Sequence, residues 1–249
     1  MSIDNPSPRS VAMRLLSLLD LTSLGENDTP TQIEALCTSA MAAPCLPAAV
    51  CIYPEHVTTA RRCLRGTTVK VATVVNFPDG AGDPVRVERE TRRALAAGAD
   101  EIDLVLPYRC LLDGDVECAH TVVRSCRAAC TEGVVLKLIL ETGVLATPER
   151  IRAACAIGIG EGVDFLKTST GKVPVNATHE AAAVMLDAIA ASGGCGFKAA
   201  GGIRTLADAT TYLQLAEARM GAGWSDPAHF RLGASALFGE LCAIAASAT

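Results

Sequence analysis

Short runs rich in Val, Ile and Leu recur along the chain, and each gives way to a longer stretch dominated by Ala, Glu and Arg. Eight of the runs read as strands, over residues 18–22, 49–53, 69–76, 101–107, 134–142, 163–168, 196–200 and 230–233. The intervening stretches read as helices, for example 115–131 and 147–157. Thr147-Pro148-Glu149 supplies an N-cap, a proline at the first helical position and an early acid in order. Strand–helix alternation of this kind builds a parallel sheet. Eight units within 249 residues predict an α/β protein with a closed (β/α)8 TIM barrel rather than an open doubly wound sheet. A short N-terminal helix over 9–17 falls outside the repeat. No linker or composition shift divides the chain, so residues 1–249 are read as one barrel domain.

This fold prescribes where chemistry belongs, because barrel active sites lie at the carboxyl ends of the strands. Five of the 22 basic residues are lysines, and three of these lie inside apolar runs or at strand ends. In the sixth strand, period-two alternation puts Val163, Phe165 and Lys167 on one face. The seventh repeats the pattern with Lys198 near its end, followed by Ala199-Ala200-Gly201-Gly202. A single inward lysine is compatible with a structural bridge between strands. Two on neighbouring strands, ~4.8 Å apart, are poor structural design but have a chemical use. Burial and a second cation both disfavour the ammonium form, and a neutral amine attacks aldehydes. Asp103 in the fourth strand, Glu101 beside it and Asp20 in the first are carboxylates embedded in apolar runs. Each can serve as a structural partner for a lysine or as a proton relay.

A phosphate site is suggested independently. Gly201-Gly202-Ile203-Arg204-Thr205 leads into a helix at Leu206, and Gly233-Ala234-Ser235-Ala236 leads from the last strand into the last helix. Loops after strands seven and eight are the recurrent phosphate cradle of this barrel, and Lys172 adds a nearby positive charge.

Composition narrows the field. A formal net charge of −5 excludes the basic face that non-specific nucleic-acid binding requires. Residues 1–10 are polar and carry two prolines, unlike a signal peptide, so the 11 cysteines are read as reduced thiols in a cytoplasmic protein. No run is long enough to span a membrane. The four histidines are dispersed, without metal-ligand spacing, and Cys126 with Cys130 reads as helix packing. Cys51 is either a thiol near the site or core. Gly158-Ile159-Gly160 precedes a strand, and Gly171-Lys172-Val173 lacks the features of a nucleotide loop.

Taken together, Leu19-Asp20-Leu21-Thr22, the run from Val71 to Pro78, Glu101-Ile102-Asp103, LKLILETG from Leu136, DFLKTSTGK from Asp164 and GFKAAGGIRT from Gly196 resemble the deoxyribose-phosphate aldolases. The likeness runs in register from residue 20 to about 238. It implies that Lys167 forms a Schiff base, that Lys198 perturbs it and helps move protons, and that Asp103 belongs to the relay with Asp20 as a partner of Lys198. It also implies phosphate contacts from Gly171, Lys172, Gly201, Gly202, Gly233 and Ser235. The implied reaction is reversible cleavage of 2-deoxy-D-ribose 5-phosphate to D-glyceraldehyde 3-phosphate and acetaldehyde, in deoxyribonucleotide catabolism. An aldolase acting on another small sugar phosphate stays open. Neither metal nor cofactor is implied; the partners are small sugar phosphates and aldehydes, not nucleic acid or membrane, and a homodimer is left open. Where many relatives carry proline after the second lysine, this chain has Ala199, expected to alter only loop stiffness. Ala236 replaces a second serine, expected to remove one phosphate hydrogen bond. The chain ends Ala-Ser-Ala-Thr, without the terminal tyrosine of some relatives, and slower turnover is expected.

Overall fold

The computed structural model describes residues 6–247; the readings placed on residues 1–5 and on the last two residues lie outside them. Eight parallel strands close on one another in chain order. The order is α1 (Pro8–Ser17), β1 (Leu19–Ser23), α2 (Pro30–Met41), β2 (Ala49–Ile52), α3 (Val57–Cys63), β3 (Lys70–Val75), α4 (Pro84–Ala96) and β4 (Glu101–Val105). It continues with α5 (Tyr108–Leu112), α6 (Val116–Ala129), β5 (Val135–Ile139), α7 (Thr142–Leu145), α8 (Pro148–Gly160) and β6 (Phe165–Lys167). The last elements are α9 (His179–Ser192), β7 (Gly196–Ala200), α10 (Leu206–Met220), β8 (Phe230–Ala234) and α11 (Leu237–Ala246). The predicted (β/α)8 TIM barrel with its N-terminal helix is therefore the fold found.

Helix starts follow their local chemistry. The Thr147 hydroxyl accepts from the Arg150 N–H, with Pro148 opening α8 and Glu149 in its first turn, as the sequence predicts. Thr29 and Thr205 form full capping boxes at α2 and α10. Such caps satisfy amide donors that the first helical turn leaves unpaired.

The core has two parts. The larger fills the space between strands and helices. A small second cluster, Ala49, Cys51, Ala72 and Val74, lines the inside of the barrel on β2 and β3. Strands β4 to β8 and β1 instead send long charged side chains inward. The small residues opposite leave the room those chains occupy.

Four expectations are revised. Strand β6 spans three residues rather than the six of 163–168; before it, the Asp164 carboxylate accepts from the Leu136 N–H at 2.7 Å and from Arg127 at 2.9 Å, taking the place of a further backbone rung. The fifth run, expected over 134–142, stops at Ile139, and Glu141 beyond it adopts a left-handed backbone (φ 57°). Ala199 is buried inside β7, so the residue after Lys198 belongs to a strand and not to a loop whose stiffness it could set. Cys110 and Cys118, on the adjacent helices α5 and α6, form a disulfide, against the reading of all cysteines as reduced thiols. Among the described residues no helix is long and apolar enough to cross a membrane.

Candidate active site

Strand register decides which side chains meet. Lys167 on β6 is paired with Lys198 on β7, and Lys198 with Arg231 on β8. Asp103 on β4 is paired with Lys137 on β5, and Asp20 on β1 with Gly233 on β8. All the charged members point into the barrel, with Lys167 at the carboxyl end of its strand and Glu101 and Arg231 near the amino ends of theirs. Lys167 Nζ donates to Asp103 Oδ2 at 2.7 Å, and Lys198 Nζ donates to the same oxygen at 2.8 Å. The two amines therefore flank one carboxylate oxygen on the same side of the barrel wall. Lys198 also donates to Asp20 Oδ2, the pairing expected for Asp20.

Two members of this cluster were not singled out from sequence. Lys137 donates to Glu101 and, at 2.8 Å, to the other oxygen of Asp103. Arg231 bridges Asp20 Oδ1 at 2.6 Å and Glu101 Oε1 at 3.0 Å. The signal for Lys137 was present: in Val135–Ile139 it alternates with leucines that face the helices, so it must face in. Gly233 makes the packing feasible, since a Cβ there would lie 3.1 Å from Lys198 Cε and 3.0 Å from the Ala200 side chain.

The cluster holds three carboxylates (Asp20, Glu101, Asp103) and four cations (Lys137, Lys167, Lys198, Arg231). Fully ionised, it carries one positive charge too many for a dry interior, where an unbalanced charge is costly. Of the three lysines, Lys167 is the one whose hold on its proton is weakened. Burial pushes its amine below the ordinary lysine value; Asp103 opposes this, and the Lys198 charge adds to the lowering. For Lys198, burial also favours the neutral form, but Asp103 and Asp20 outweigh it and hold the amine above its ordinary value. Lys137 is held up in the same way by Asp103 and Glu101. Burial of Asp103 is overcome by Lys137, Lys167 and Lys198, which keep its carboxyl well below the usual range. Desolvation, more than the lysine neighbour, is thus the main cause of the lowering at Lys167. With Lys167 as a free amine the cluster is neutral.

Lys167 is also the member that opens to the outside. It lines a cavity of about 430 Å³, whose rim brings together Gly171, Lys172, Gly201, Gly202, Gly233 and Ser235. Gly201 and Gly202 are successive left-handed residues (φ 86° and 83°), a backbone that residues with a Cβ seldom adopt. Lys172 Nζ donates to the Leu24 carbonyl at 2.7 Å across the mouth. Ala236 lies on the same rim, at the start of α11. Cys51 is core: it is fully buried, its Sγ 3.9 Å from Asp103 Oδ2, and burial pushes its thiol up. Cys126 packs against Thr91 in the helical layer. The histidines are held singly, His120 by Glu161 and His229 by Asp226. No described group of three or more His, Cys, Asp or Glu side chains is arranged to hold a metal ion.

The arrangement places a buried lysine amine at the edge of an open cavity, with paired charged side chains behind it and glycine-rich backbone beside it. Comparison with known proteins agrees. The model of the DeoC/LacD family aldolases matches residues 14–237. The deoxyribose-phosphate aldolase of Agrobacterium fabrum is 49% identical over 97% of this chain and 94% of its own length. A crystal structure from Coccidioides immitis, of a protein provisionally named a deoxyribose-phosphate aldolase, is 32% identical over 95% of this chain and 88% of that one, with a TM-score of 0.81. A Toxoplasma gondii structure with a TM-score of 0.89, covering 97% and 98% of the two chains, is 24% identical and supports the fold alone. The chain belongs to the DeoC/LacD family of aldolases.

Proposed function

We propose that the chain is a class I aldolase that reversibly cleaves 2-deoxy-D-ribose 5-phosphate to D-glyceraldehyde 3-phosphate and acetaldehyde through a Schiff base on Lys167. The observation that most supports this reading is the shared carboxylate: Lys167 and Lys198 both donate to Asp103 Oδ2, and Lys167, the amine lowered by burial, lines the open cavity.

In this reading the free Lys167 amine adds to C1 of the open-chain sugar, and loss of water gives an iminium. Asp103, working through water with Lys198, takes the proton of the C3 hydroxyl. The C2–C3 bond then breaks, its electron pair passes into the iminium to give an enamine, and C3 becomes the aldehyde carbon of glyceraldehyde 3-phosphate. A proton returned to C2, followed by hydrolysis, releases acetaldehyde and regenerates the amine. Gly171, Lys172, Gly201, Gly202, Gly233 and Ser235 would hold the phosphate, through backbone N–H groups and the charge of Lys172. Asp20 keeps Lys198 charged and in place.

Borohydride reduction with acetaldehyde present is expected to leave a stable adduct on the peptide containing Lys167, read by mass spectrometry. An adduct confined to another lysine would refute the assignment.

The pH profile offers a second test. Chemistry needs the uncharged amine, so kcat/KM falls as pH drops through the Lys167 value, and this limb lies below the ordinary lysine pKa of about 10.4. Replacing Lys198 by methionine removes a charge that favours the neutral amine and leaves Asp103 freer to pair with Lys167. The acid limb is then expected to move to higher pH, alongside any loss in rate. A limb that stays in place or moves down would contradict the electrostatic account.

A further inference from the structure

Glu141 is a buried carboxylate that the proposed reaction does not use. It follows β5 in a left-handed backbone conformation (φ 57°, ψ 57°), a strained choice for a residue with a side chain. Both of its oxygens are committed to one residue in the loop after β6. Oε1 accepts from the Thr170 N–H at 3.2 Å, and Oε2 accepts from the Thr170 hydroxyl.

The direction of these bonds carries the argument. A carboxylate only accepts, so the single hydroxyl proton of Thr170 is spent on Glu141. The hydroxyl oxygen is left as an acceptor, and it takes the Lys172 N–H at 3.0 Å. This closes the turn over Gly171, whose φ is 83°. Lys172 then reaches across the cavity to the Leu24 carbonyl. Thr170, Gly171 and Lys172 all line the cavity, together with Gly201, Gly202 and Ser235. The carboxylate thus fixes one wall of the anion cradle from behind.

We propose that Glu141 is a positioning residue that holds the Thr170–Lys172 turn in its anion-binding shape and so sets the preference for a phosphorylated over an unphosphorylated sugar. The proposal rests on the reading that this cavity takes the substrate phosphate. Glu141 touches no reacting atom; it acts through Thr170.

The test compares wild type with Glu141→Gln, Thr170→Val, Thr170→Ser and the Glu141→Gln/Thr170→Val double variant. Two quantities are measured: the Kd of inorganic phosphate by calorimetry, and the ratio of kcat/KM for 2-deoxyribose 5-phosphate to that for 2-deoxyribose. Glu141→Gln and Thr170→Val are each expected to weaken phosphate roughly tenfold, the scale of one lost charged hydrogen bond, and to lower the ratio by a similar factor. Thr170→Ser, which keeps the hydroxyl, should retain the wild-type ratio. The double variant should be no worse than its weaker parent, since both changes cut the same connection.

An unchanged phosphate Kd and ratio in Glu141→Gln, or an equal loss on both sugars, would overturn the proposal while leaving the aldolase reading intact. If Glu141→Gln does not fold, Thr170→Val against Thr170→Ser decides the matter by the same two readouts. A wild-type enzyme without affinity for phosphate would remove the phosphate-site reading itself, and this proposal with it.

Discussion

Lys167→Met is expected to lower kcat/KM for 2-deoxyribose 5-phosphate cleavage about 10⁴-fold or more, because in the proposed reaction Lys167 carries the covalent intermediate. The same substitution is expected to leave thermal stability nearly unchanged, with a Tm shift of no more than about 2 °C. This second expectation is unusual for a buried charged residue. It follows from the charge count: deleting Lys167 leaves three carboxylates against Lys137, Lys198 and Arg231. Methionine replaces the stem of the side chain with little change in volume. A coupled assay with a chelator present measures the activity, and a thermal melt measures the stability. Substantial residual turnover would remove Lys167 from the reaction. A large fall in Tm would mean that Lys167 serves as a paired ammonium, and that the amine is not held neutral.

Lys137→Met should do the opposite. Lys137 is fully buried and donates to both Glu101 and Asp103, with Asp20 3.7 Å away. Removing it leaves the interior with excess negative charge, and breaking a buried pair from one side costs about 3–5 kcal/mol. For a chain of this size that corresponds to a fall in Tm of roughly 10 °C. Adding Glu101→Gln to Lys137→Met removes the unpaired charge and should recover part of the loss, so the double variant is expected to melt above Lys137→Met alone. A single variant as stable as wild type would show that Lys137 is not needed to balance the carboxylates.

The contrast between these two lysines also shows what a sequence can and cannot disclose. Lys167 and Lys198 were legible because each lies on an apolar strand that ends in a small-residue turn, and because the barrel fold assigns chemistry to strand ends. The pairing of Asp20 with Lys198 came with the family likeness. Lys137 has the same period-two placement, but its importance depends on facing Asp103 across β4 and β5, and cross-strand register is not written locally. Arg231 is harder still. Its sequence context is a strand running into a glycine turn, and only barrel closure brings β8 against β1 and sets the guanidinium between Asp20 and Glu101. Strand ends were overestimated where local chemistry intervenes: the Asp164 carboxylate before β6 takes the Leu136 N–H, and Glu141 after β5 leaves the extended backbone for a left-handed one. The disulfide between Cys110 and Cys118 depends on how α5 and α6 pack, which cysteine spacing alone does not specify.

The lopsided interior of the barrel has an implication for engineering. Six strands carry charge into the lumen, while Ala49, Cys51, Ala72 and Val74 form a neutral lining on β2 and β3, backed by Leu24, Tyr53 and Phe77. Each of these positions borders the charges: Ala49 is paired with Asp20, Ala72 with Glu101 and Val74 with Asp103, and Cys51 Sγ lies 3.9 Å from Asp103 Oδ2. Enlarging any of them presses on a carboxylate, so libraries on this wall have to be screened for retained carbon–carbon bond chemistry as well as for steric tolerance.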